Sequence, residues 1–112
     1  MRLPRMTTRR WMIAVAVVAI LLGAGLETGR RSFRFARLSD CHSNAALECF
    51  HALMTLGGWP PPQDPSPAEL GRVRNLYRVR ALVHYHSALT QKYERAARYP
   101  WLPVAPDPPE PE

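Results

Sequence analysis

The sequence predicts an all-α chain: one N-terminal transmembrane helix, then an antiparallel helical hairpin, then a proline-rich extended tail. Three observations carry this. Trp11 to Leu26 reads WMIAVAVVAILLGAGL, with no charged residue and no Asn, Gln, Ser, Thr or Pro. Two later stretches, about 38–56 and 67–99, repeat apolar residues three and four apart, the period of a helix face. The twelve prolines fall at position 4, between 60 and 67, and from 100 onward. They separate helices and do not interrupt the apolar stretches.

Residues 1–10 form a basic tail with Arg2, Arg5, Arg9 and Arg10. The transmembrane helix is placed at 11–28. Its apolar core of sixteen residues rises about 24 Å, short of a hydrocarbon core of about 30 Å. Thr7, Thr8, Thr28 and Gly29 extend it, and flanking arginines snorkel to the headgroups. Trp11 sits where an interfacial aromatic belongs. A buried core helix would carry a polar face, and this stretch has none. A cleaved signal peptide fits the same residues: a basic start, an apolar run, and small residues at Gly23, Ala24 and Gly25. Four arginines flank each side, the far set being Arg30, Arg31, Arg34 and Arg37. The short basic tail favours a single-pass protein of the cell membrane with its C-terminal part outside the cytoplasm.

The hairpin is assigned to residues 29–99. The stretch that leads from the span into it, Glu27 to Leu38, is basic with Phe33 and Phe35 interleaved. That composition suits either an anionic lipid surface or a solvated continuation of the span. In the first exposed helix, about 38–56, Leu38, His42, Ala45, Cys49, Ala52 and Leu56 form a seam, widened by Ala46, Phe50 and Leu53. Ser39 or Asp40 caps a new start, or the helix runs on from the span. Gly57 and Gly58 end it, and a stiff proline-rich loop occupies 57–66. Ser66, Pro67 and Glu69 have the spacing of a capping box at the head of the second helix, 67–99. There the stripe is Leu76, Val79, Val83, His86, Thr90, Tyr93 and Ala97, widened by Leu82, Leu89 and Ala96. Lys92, Glu94 and Arg95 read as solvated. Setting Leu56 against Leu70 places Cys49 near Tyr77 and His42 near His84, with His86 the other partner open to His42. Without a metal, His42 and His86 read as seam residues that hydrogen-bond across the hairpin.

The tail, 100–112, reads PWLPVAPDPPEPE. Its composition predicts an extended segment without a core, so loss of 103–112 should leave the fold unchanged. Trp101, Leu102 and Val104 are the exception. Trp101 and Leu102 are the candidate interaction residues, folding back on the hairpin or docking at the membrane interface.

No catalytic or cofactor motif stands out. The net charge of +6 is uneven: residues 1–26 hold four arginines and no acid, and the remainder has eleven basic against nine acidic residues. Arg72, Arg74, Arg78 and Arg80 beside Asn75 and Tyr77 therefore read as a solvated face and not as a nucleic-acid surface. His42, His84 and His86, with Asp40 or Cys41 nearby, are the candidate metal ligands. A transition-metal site needs three or four convergent ligands, and His84 and His86 point to different helix faces. Cys41 and Cys49, eight residues apart on one helix, lie about 12 Å apart, too far for a disulfide. No paired acid–base groups, phosphate loop or activated nucleophile argue for an enzyme.

The segment KYERAARYPWLPVAPDPPEPE resembles the C-terminal end of small uncharacterised single-span membrane proteins of planctomycete bacteria. Those chains also begin with a basic tail and a run similar to MIAVAVVAILLG, and often carry a Tyr-His pair before Lys-Tyr-Glu, as at Tyr85-His86 here. Cys41 departs from the pattern, standing where an aromatic is expected. The resemblance covers both ends well and the middle loosely. It implies a bacterial envelope protein and no activity. The resulting expectation is a membrane-anchored, non-enzymatic interaction or scaffold module without a cofactor. Its partners would be the bilayer through 11–28 and a protein, or a second copy, through the hairpin. The alternatives are a metal- or redox-responsive protein and a secreted hairpin.

Overall fold

The computed structural model describes residues 7–112, so the basic tail at Arg2 and Arg5 lies outside the described residues. The described chain is all-helical, with two helices, α1 (Thr8–Thr55) and α2 (Leu70–Arg98). The apolar stretch and the first exposed helix are one unbroken element of 48 residues. Neither Ser39 nor Asp40 starts a new helix. No proline lies between position 4 and position 60, and Gly23, Gly25 and Gly29 each weaken a helix by only about 1 kcal/mol. The α-carbon trace extends 91 × 25 × 15 Å.

Among the described residues nothing covers the N-terminal part of α1: Trp11 to Leu26 is exposed throughout. The helix is long and apolar enough to cross a membrane. Thr28 donates its hydroxyl to the carbonyl of Ala24 at 2.8 Å, so it needs no water and suits the end of an apolar stretch. Packing begins at Ser32. Its hydroxyl donates to the Ala97 carbonyl at 2.7 Å, one of the carbonyls that the end of α2 leaves without an intrahelical donor.

From there the partners run in opposite order along the two helices. Ser39 meets Thr90, His42 meets His86, and the Leu56 carbonyl accepts from Arg72. The offset differs from the sequence expectation by about two to three residues. Of the two partners open to His42, it lies against His86, as the cross-hairpin hydrogen bond requires, while Tyr77 pairs with Trp59 instead of Cys49. The loop sets this offset, because the turn of Pro67 to Glu69 precedes α2 and moves its start to Leu70. Glu69 accepts from both the backbone N–H and the hydroxyl of Ser66 at 3.0 Å. Those bonds hold its carboxyl below the usual range.

The buried residues are Leu53 and Ser39 on α1, and Leu76, Leu89, Tyr93 and Ala96 on α2. Leu89 and Ala96, expected only to widen the stripe, are thus its centre. Phe50 points outward and is 44% exposed. At the end of α1 the Gly57 N–H donates to Met54 and the Gly58 N–H to Leu53, both glycines having positive φ. This crossed pair of bonds closes the helix and turns the chain. A Cβ on Gly57 would collide with the Arg72 guanidinium, at a φ of +109° that side chains rarely adopt. Gly57→Ala is therefore expected to destabilise the packed part by about 1–2 kcal/mol, measured as a lower melting temperature; an unchanged value would remove this account of the turn.

Candidate functional site

The polar chemistry of the helix pair gathers at the middle of the interface. The His42 and His86 Nδ1 atoms lie 3.1 Å apart. One ring must donate and the other accept, so the contact requires at least one neutral imidazole. The rings are part of an aromatic ladder. Phe35 stacks on Tyr93 with centroids 6.1 Å apart, Tyr93 on His42 at 5.6 Å, and His42 on His86 at 5.4 Å. Tyr85 closes the row edge-on to His86. Helical spacing puts Phe35 and His42 on one face of α1, and His86 and Tyr93 on one face of α2.

His84, by contrast, is exposed. The structure brings together two of the three candidate ligands, and no group of three or more His, Cys, Asp or Glu suited to a metal occurs among the described residues. Cys41 is exposed, Cys49 is half-buried, and both thiols are free.

The tail, exposed over most of its length and without helix or strand beyond Leu102, completes the site through a few contacts. It turns at Pro100, which is buried, and lies back along α2. Asp107 pairs with Lys92 and accepts a 2.6 Å hydrogen bond from the Tyr93 hydroxyl; the Tyr85 hydroxyl donates to the Pro108 carbonyl at 3.1 Å. Lys92 is accordingly half-buried and paired, not freely solvated. Trp101 and Leu102, the candidate interaction residues, are instead 65% and 43% exposed. Tyr99 packs edge-on to Trp101 at 5.8 Å. The tail's anchor was not legible from local sequence, because a single Asp among prolines gives no signal of a partner fourteen residues away.

These contacts fix the pH range over which the tail is held. The hydrogen bond from Lys92, and next that from Tyr93, keep the Asp107 carboxyl below the usual range. Its contribution is present above about pH 4 and is lost as pH falls through the lowered value. Burial first, then the bond to Asp107, pushes the Tyr93 hydroxyl up to about 12. That contribution is complete below about pH 10 and is lost as pH rises through the raised value. The carboxyl carbon of Asp107 is expected to titrate at lower pH in the protein than in a free tail peptide. Equal midpoints would show an undocked tail.

The described residues thus offer a ladder that consumes its own polar groups: no buried side-chain nitrogen or oxygen among them lacks a hydrogen-bond partner. Such an arrangement positions the helices and the tail. Comparison with protein-family models, with curated proteins and with solved structures gives no match.

Proposed function

We propose that the chain is a membrane-anchored helical hairpin of the bacterial envelope that acts as a non-enzymatic interaction or scaffold module. The observation that carries this is the single helix α1, whose apolar N-terminal part is exposed from Trp11 to Leu26 while its C-terminal part is packed against α2. An exposed apolar surface of that length fits a lipid surround. The hairpin then stands on the span as its direct continuation, with the proline-rich tail as a strap on its side. Leu47, Phe50 and Met54, spaced three and four apart on α1, are exposed and offer a contact stripe away from α2.

Carbonate extraction with intact-mass measurement tests the anchor. Full-length protein retained in the membrane is the expected result. A soluble form lacking about 25 N-terminal residues would instead make it a secreted hairpin. The stripe is tested by replacing Leu47 and Phe50 with Gln. The variant should keep its melting temperature, since both side chains are exposed, and should run as a smaller species than the wild type on a native gel of membrane extracts. Identical migration would overturn the module reading.

A further inference from the structure

The C-terminal end of α2 and the beginning of the tail border an open cavity of about 530 Å³. Its walls are Ala96, Tyr99, Leu102, Pro103 and Val104, with Lys92 and Arg95 supplying the charge. We propose that this cavity binds an anionic phospholipid, the acyl chain against the apolar wall and the phosphate at Arg95. The proposal rests on the membrane-anchor reading and names the ligand that reading leaves open.

Position is the first argument. Ser32, bonded to Ala97, lies six residues beyond Leu26, about 9 Å along the helix. The polar zone of one leaflet is about 5–7 Å thick. Thr28 already belongs to the apolar side, its hydroxyl being returned to Ala24. Counted from Thr28, Ser32 lies about 6 Å along the helix. The end of the cavity at Tyr99 therefore opens at headgroup level, with exposed Tyr99 and Trp101 in the place interfacial aromatics take. Arg95, one turn farther out on α2, reaches the phosphates through its long side chain.

Charge is the second argument. The one ion pair among the described residues joins Lys92 to Asp107. It neutralises Lys92 and leaves Arg95 as the unpaired cation of the wall. Arg98 is exposed in the next turn, and Arg30, Arg31 and Arg34 are exposed on α1 around Ser32. The acids of this region are Glu27 on α1 and Glu94, which lines a second, neighbouring cavity together with Arg95, Arg98 and Tyr99. Cations so outnumber acids here that an anion is attracted, and a guanidinium can hold phosphate through two parallel hydrogen bonds. Arg95 and Arg98 also offset the negative end of the α2 helix dipole, which would otherwise repel a phosphate.

The test uses full-length protein in maltoside micelles, melted with added dioleoylphosphatidylglycerol, with dioleoylphosphatidylcholine, or with glycerol phosphate. Phosphatidylglycerol is expected to raise the melting temperature by about 5 °C over phosphatidylcholine, and glycerol phosphate to leave it unchanged. Arg95→Gln should remove most of that difference, while Arg74→Gln, an exposed arginine at the far end of α2, should keep it. Equal shifts with the two lipids would overturn the proposal, as would a full preference in Arg95→Gln. A shift with glycerol phosphate as large as with the lipid would mean a free phosphate site and would overturn it too. Carbonate extraction of Arg95→Gln, expected to match wild type, keeps the anchor reading separable from this one.

Discussion

Leu89→Asp is expected to release α2 from α1. Leu89 is 2% exposed, at the centre of the interface with Leu76, Tyr93 and Ala96. Truncating such a side chain costs about 2–5 kcal/mol, and a buried carboxylate without a partner adds more. A packed part this small has a total stability on the order of 5 kcal/mol. Since α2 supplies 29 helical residues against 48 in α1, its melting should remove more than a third of the helical circular dichroism. The apolar part of α1 should stay helical in micelles. Leu47→Asp, the same change at an exposed site, is the control and should leave the spectrum intact. Retention of the α2 signal in Leu89→Asp would show that the helices do not depend on this interface.

Deleting residues 103–112 is expected to lower the melting temperature by about 4–8 °C. The deletion removes the Lys92–Asp107 pair, the bond from Tyr93, and the bond from Tyr85 to Pro108. Asp107 is exposed enough for solvent to screen it, so the three together are assigned only about 1 kcal/mol. Asp107→Asn, which still accepts from Tyr93 but loses the ion pair, should fall between deletion and wild type. A deletion that melts with the wild type would return the tail to the unpacked state its composition suggests.

The helices were legible because their signals are local. Absence of charge marked the apolar part of α1, a period of three and four marked the seam, and Gly57-Gly58 marked its end. His42 and His86 were legible as seam residues for the same reason. The offset between helices was not, because it depends on how many residues the Pro67–Glu69 turn consumes before α2 begins, and a two-residue error moves His42 from His86 to His84. The exposure of Phe50 was equally hidden: a stripe broader than the partner's face leaves its edge uncovered, and period alone does not say which edge. Tyr93 was read as one more stripe residue. Its role as the link between ladder and tail depends on a hydroxyl reaching Asp107, which no spacing rule encodes.

The absence of a joint in α1 has a mechanical consequence. With the apolar stretch in a bilayer, the helix is a lever whose fulcrum lies near Thr28. The arm from Arg30 to Thr55 is about 39 Å long. Helices accommodate bilayers of different thickness by tilting, and a change of about 10° would swing the Gly57–Gly58 turn sideways by about 7 Å. A flexible hinge at Ser39 would have absorbed that motion. Without one, any tilt of α1 in a bilayer would be carried undamped to the Gly57–Gly58 turn.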